Sequence, residues 1–424
     1  MKKLCNIFLV LAIIGTICMR FAYAPEKSTN NLFVDDVVAA MLDWQPCIVN
    51  KDGEVIARLD PPDPEAPYPS SIADFNSDGV AMYSTDFYWL PSEFPAFKYG
   101  LVNTNGEFVL QPDFDYISDF QNGMAVVSKN EEYGIVNAEG EFVIEICFDG
   151  LKSFENDKYT PAKQGEKWGY INKKGDFVIA PQFDDARSFA GKEYARVKID
   201  GRSELIDRKG NLVSKITSES IHGIYGDFTI VNDIEVKKSG RRIPHYSLLN
   251  IKTGETTSLP YENIGEFDEN GLAPVCKFSK WGYINTKGEE VIKCQFREAG
   301  EFTNGIAPVI MRDKSCAYID ENGKIVMQFE DFTKLGSFHN GLAWFADKND
   351  KVGYINEKGE IVIEPQFELY ANVIRQDIFK QESFYAGGNF YDDGYAVVET
   401  SNYKQGVIDM NGNYVLEPIY DWIG

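Results

Sequence analysis

Residues 74–79 read DFNSDG, with Asp74, Asn76 and Asp78 at alternating positions ahead of Gly79. That is the opening of a loop that wraps carboxylate and amide oxygens around Ca2+. The twelfth position, where such a loop wants a bidentate glutamate, holds Thr85. A plain turn accounts for the same letters, because an aromatic residue followed by Asn-Gly or Asp-Gly recurs along the chain. Imidazole chemistry has only His222, His245 and His339 to draw on, and no Gly-x-Ser-x-Gly, His-Glu-x-x-His or phosphate-cradling glycine loop accompanies them. Residues 236–242, VKKSGRR, gather positive charge that would grip an anionic partner; as a hairpin tip at Ser239-Gly240 they would be solvated flanks. Trp168 and Trp281 would serve either as an exposed aromatic cage or as packing between units. The 65 acidic residues leave room for a paired-acid hydrolase, since such pairs are defined by separation in space. No catalytic, cofactor-binding or metal-ligating residue is assigned from these patterns.

The chain begins MKKLCNIFLVLAIIGTICMRFAYA: two lysines, an apolar run from Leu4 to Met19, and Ala22-Tyr23-Ala24 as a small-x-small cleavage site. The run is shorter than the roughly 20 residues a membrane-spanning helix needs. Residues 1–24 therefore read as a signal peptide, the mature chain as lacking a transmembrane span, and the protein as exported: secreted, periplasmic or at the cell surface. Pro25 is unfavourable just after a cut, and Cys18 would be a lipidation site were it not preceded by the bulky Ile17. Cleavage moves the net charge from −23 to −26, which excludes the basic footprint that nucleic acid requires. Five cysteines would remain, Cys47, Cys147, Cys276, Cys294 and Cys316, an odd and irregular set that reads as small buried residues rather than a disulfide framework; a cross-strand pair of Cys276 with Cys294 is the alternative.

The elements that would position these residues follow from a repeat. Gly53, Gly106, Gly140, Gly175, Gly210, Gly254, Gly288, Gly323, Gly359 and Gly412 are separated by 53, 34, 35, 35, 44, 34, 35, 36 and 53 residues. The period is near 35, with three insertions. Three residues before every one of these except Gly254 stands Asn or Asp, from Asn50 to Asp409, the spacing of a hairpin loop closed by a glycine with positive φ. Downstream runs such as Phe177-Val178-Ile179 are expected to stop at Pro112, Pro181, Pro365 and Pro418. A second signature, FQNGMAVV at 120–127 and FHNGLAWF at 338–345 among others, introduces a third strand. Each unit then reads as a three-stranded antiparallel meander. Adjacent apolar pairs such as Val143-Ile144 and Val291-Ile292 point to opposite faces of a strand, so both faces seek burial between stacked units.

With Trp168-Gly169 and Trp281-Gly282, and relaxed versions at Tyr99-Gly100, Tyr133-Gly134, Val352-Gly353 and Gln405-Gly406, the units resemble the bacterial WG repeat. The resemblance implies tandem β units and commonly no assigned activity. The expected fold is all-β: about ten units of ~35 residues over 47–424, stacked as a propeller-like ring or an open solenoid-like arc. Units within 203–260 diverge, Ser203-Glu204 and Tyr246-Ser247 replacing the name-giving pair, and insertions fall at 60–73, 213–245 and 369–390. Residues 25–46 read as an N-terminal capping segment, with a helix over 31–44 covering the first unit.

Two function classes remain. One is a non-catalytic array presenting an extended surface to a protein or glycan partner at the cell envelope, with no cofactor. The other is a secreted, carbohydrate-active hydrolase with carboxylates in a central cleft. The first is favoured, because repetition builds broad surfaces whereas catalysis needs an irregular constellation.

Overall fold

A computed structural model describes residues 31–59, 70–85, 97–189, 192–213, 220–237, 240, 242–268, 270–368 and 388–424. The signal-peptide reading lies outside them, as do most of the insertions at 60–73 and 369–390.

The described residues form ten small antiparallel sheets, eight of four strands and two of three. The fourth strand is a two-residue piece the sequence conceals, such as Tyr116–Ile117 ahead of Met124–Lys129, Glu132–Asn137 and Phe142–Phe148. Each sheet is one blade, and the blades close into a ten-bladed β-propeller. Closure is direct: Val37–Leu42 pairs on one side with Gln45–Asn50 and on the other with Trp422–Ile423 from the opposite end of the chain. Two backbone bonds extend this seam, Asp421 N–H to the Met41 carbonyl at 2.8 Å and Gly424 N–H to the Ala39 carbonyl at 3.1 Å. Leu32, Phe33, Val38 and Ala40 of the first blade share a core with Val397, Val407 and Leu416 of the tenth.

The expected helix over 31–44 is thus a correction. Val37–Leu42 is a strand and Asp43-Trp44, both at positive φ, are a two-residue hairpin turn. An apolar run paired on both sides has no polar face to reveal its period, so its pattern does not separate helix from buried strand.

The repeated turns form as the spacing predicts. All ten turn glycines have φ between +75° and +85°. In the turn at Gly175, Asn172 accepts from the N–H groups of Lys174 and Asp176 at 2.8 and 3.1 Å, and its amide donates to the Asp176 carboxylate at 3.3 Å. The acid after the glycine is therefore a bonded partner rather than merely a solvated residue. Where the first residue is an acid the roles exchange, Asn211 donating to Asp207 and Asn413 to Asp409, both at 3.0 Å.

The prolines do not end the outer strands. Pro181 lies inside Phe177–Phe183, in a bulge where Trp168 pairs with Phe183 and Tyr170 with Ile179. An unpaired edge tolerates the missing N–H there. The bulge explains the Gly of Trp-Gly. A Cβ on Gly169 or Gly282 would meet the outer strand's carbonyl oxygen at 2.4 Å. In the eighth blade the same position is Ala317, and the strand opposite it pairs in regular register.

Four of the ten described blades are joined to the next by a tyrosine. Tyr170, Tyr283, Tyr318 and Tyr354, each at most 1 % exposed, pack against Phe189, Phe302, Phe338 and Phe390 of the next blade at centroid distances of 4.8–5.0 Å. Their hydroxyls donate to the carbonyls of Arg187, Gly300, Gly336 and Gly388 at 2.6–2.8 Å. Trp168 and Trp281 also pack at blade junctions but are only half-buried, so cohesion rests on the tyrosines more than on the tryptophans.

Candidate functional site

The short strands lie at the inner end of each blade. Asp74 of the second blade abuts Gly424 of the first and interacts electrostatically with Tyr391 of the tenth. Residues two blades apart meet only where blades converge. The long strands carrying the bulges are therefore outermost.

This placement splits four of the adjacent apolar pairs, whereas Val109 and Leu110 are both half-buried against the core. Ile144, Ile179, Ile292 and Ile363 are buried at 3–5 % exposure, while Val143, Val178, Val291 and Val362 remain 40–42 % exposed. Both faces do not find burial, as the sequence had suggested, because the outer strand is a sheet edge with nothing beyond it. Ile56 and Val326 occupy the same position in two more blades and are also exposed, so six blades carry an exposed aliphatic side chain there, while Val109 and Val415 are half-buried.

At the inner end, the position before the recurring phenylalanine carries Asp74, Asp119, Ser153, Ser188, Glu266, Glu301, Ser337 and Asn389 in successive blades that have it. Burial pushes the Asp74 carboxyl up to about 6, with the nearby Asp119 adding to the effect, and raises Asp119 as well. The Asn76 side-chain oxygen accepts from the N–H groups of Asp78 and Val80 at 2.9 and 3.1 Å, bonding DFNSDG as the turn between two strands of its blade.

The other singled-out residues do not converge. His245 pairs with Glu235 at 3.1 Å on an exposed hairpin, and the His339 N–H bonds to the Leu342 carbonyl at 2.9 Å within its turn. The side chain of His222 and residues 238, 239 and 241 of the 236–242 hairpin tip lie outside the described residues. All five described cysteines are free, Cys276 and Cys294 included; Cys47, Cys276 and Cys316 are buried and Cys147 is exposed.

One junction breaks the pattern. Strand register places Ile221 of the sixth blade level with Ile72, Ile117 and Leu151, so Ile224 stands where Phe75, Phe120 and Phe154 stand. Across the junction, Leu205 of the fifth blade takes the position of Tyr170, as Leu101 and Ile135 do in the second and third blades, where a phenylalanine still faces them. Two aliphatic side chains thus replace an aromatic contact, and a cavity of about 330 Å³ opens beside Arg187, Arg196, Lys192, Gly223, Ile224 and Glu266. Arg196 occupies a strand position that elsewhere holds Met82, Val126, Pro161, Pro274, Pro308 or Trp344. Sequence reasoning placed divergence here but missed the cavity. The missing phenylalanine was its available signal.

Among solved structures, a eukaryotic initiation factor is similar over 91 % of this chain and 96 % of its own, at 9 % identity and a TM-score of 0.48. The computationally designed Ika8 protein covers 67 % of this chain and 95 % of its own, at 10 % identity and a TM-score of 0.36. BamB from Moraxella catarrhalis covers 68 % and 91 %, at 10 % identity and a TM-score of 0.31. No curated protein matches. The family described as WG containing repeat matches residues 99–133, 133–168, 168–202, 281–314, 317–351, 353–373 and 406–424, leaving the broken junction's sixth blade unmatched. These matches span half of the sequence, and the chain belongs to the WG containing repeat family.

Proposed function

We propose that the protein is an exported, non-catalytic binding ring that holds a protein or glycan partner at the cell envelope. The observation that carries this reading is the set of exposed aliphatic residues at one outer-strand position in six of the ten described blades, Val143, Val178, Val291 and Val362 among them. A spaced apolar surface on an acidic ring fits contact with another macromolecule better than turnover of a small one. Replacing Val143, Val178, Val291 and Val362 together with Lys leaves the buried isoleucines in place. Capture from the native envelope should retain a defined partner with the parent ring and lose it with the variant. Equal capture by both, or none by the parent, contradicts the proposal.

Asp74 and Asp119 favour a second reading, hydrolysis, because burial raises both carboxyls and one raised acid beside another carboxylate suits general acid catalysis. Glycan hydrolysis by the purified protein that disappears in Asp74→Asn would carry that reading; no hydrolysis by the parent would dismiss it.

A further inference from the structure

The broken junction between the fifth and sixth blades holds more positive charge than its own carboxylates balance. Asp185 interacts with Lys152 at 3.1 Å and electrostatically with both Arg187 and Arg196. Burial holds the Arg196 guanidinium below its ordinary value, and repulsion from Arg187 adds to the effect. Among the described residues Arg187 makes no ion pair within salt-bridge distance, and its side chain is exposed. Arg196 donates one guanidinium N–H to the Ile221 carbonyl, which fixes it at the cavity wall. Lys192 stands over the Tyr225 ring at 5.7 Å, and among the described residues Glu266 is the one carboxylate lining the space.

Such an arrangement is unfavourable when empty of counter-charge. Two guanidinium groups held near each other in a partly desolvated recess gain from an anion that bridges them. It also runs against the composition, since the chain as a whole has a net charge of −23. A cavity of about 330 Å³ is at the small end of ligand sites. Arg196 in an otherwise apolar column, and Ile224 in a phenylalanine column, show that the same few positions supply both the space and the charge.

We infer that the recess bounded by Arg187, Arg196 and Lys192 is a binding site for a small oxyanion, a phosphate or carboxylate group carried by a molecule of about monosaccharide size. Glu266 at the opposite wall accepts hydroxyl hydrogen bonds from the remainder of such a ligand. The site is independent of the outer rim, so it stands or falls apart from the proposed partner surface.

Titration calorimetry of the purified full chain, at constant ionic strength, with inorganic phosphate, glucuronate and glucose tests this. Phosphate or glucuronate should bind saturably and glucose should not; which anion binds distinguishes a phosphorylated from a carboxylated ligand. Arg187→Glu, at an exposed side chain, should weaken that binding at least about tenfold while the thermal unfolding of the protein stays that of the parent. Val178→Lys, on the outer rim, should bind as the parent does. Absence of saturable anion binding up to roughly 10 mM, or equal affinity in parent and Arg187→Glu, overturns the inference.

Discussion

Replacing Gly282 with Ala asks whether the outer-strand bulge is what requires glycine in the Trp-Gly pair. Gly282 is not in the left-handed region, so torsional strain is not at issue. An added Cβ would lie 2.4 Å from the Ile292 carbonyl oxygen, 2.6 Å from the Cys294 nitrogen and 2.7 Å from the Lys293 carbonyl carbon. Real contacts of this kind essentially never fall below 3.0 Å, so the oxygen must retreat by about 0.6 Å. All three atoms are backbone, and no side-chain rotation relieves them. Overpacking of this kind costs about 1–3 kcal/mol, and the loss of unfolded-state freedom on going from Gly to Ala returns about 0.4–1 kcal/mol. The expected net loss is about 1–2 kcal/mol, read as a lower urea midpoint together with faster amide exchange in Glu290–Phe296. Ala317→Gly in the eighth blade is the counterpart. With no such bulge opposite it, the loss should be only about 0.5–1 kcal/mol, from strand flexibility. A Gly282→Ala protein with the parent's midpoint and unchanged exchange across the bulge would refute the reasoning.

Two further outcomes follow from the junctions and the inner ring. Tyr318→Phe removes the hydroxyl that donates to the Gly336 carbonyl at 2.6 Å and should lower stability by about 1–3 kcal/mol, because a buried acceptor loses its partner; an unchanged denaturation midpoint would contradict the inter-blade role. Asp74 has a folded value of about 6, above the ~3.9 of an unfolded aspartate, so the native state binds the extra proton between those values. Stability from this group is full below the unfolded value and is lost as pH rises through about 6. Asp74→Asn should therefore exceed the parent by on the order of 2 kcal/mol at pH ~8 and converge on it near pH ~4; a difference independent of pH would contradict the assignment.

Legibility in the sequence followed how local each cause was. The turns at Gly175 and Gly359 were readable because positive φ within a fixed hairpin leaves few residue choices. The bulge at Pro181 was not, because proline's lost N–H reads equally as the end of a strand or as an unpaired edge within one. Closure was hidden in Trp422–Ile423, a two-residue strand whose partner lies near the other end of the chain. The repeat period could not distinguish a ring from an arc, since both stack the same units. The charged cavity depended on Ile224 and Arg196 departing together from two different columns. Each change alone looks like ordinary divergence, and only strand register brings them to one place. Tyr170 and its counterparts were visible within the repeated letters, yet the larger tryptophan two residues earlier drew the packing role that the tyrosine performs.

Closure of ten blades into one ring is the claim on which the rim and the inner recess both depend. Electron-microscopy class averages of the purified protein viewed down the axis test it most directly. The structure predicts a single continuous ring of ten lobes, joined at the seam between Val37–Leu42 and Trp422–Ile423. An open arc, a gap at one position, or two separate smaller rings would contradict it.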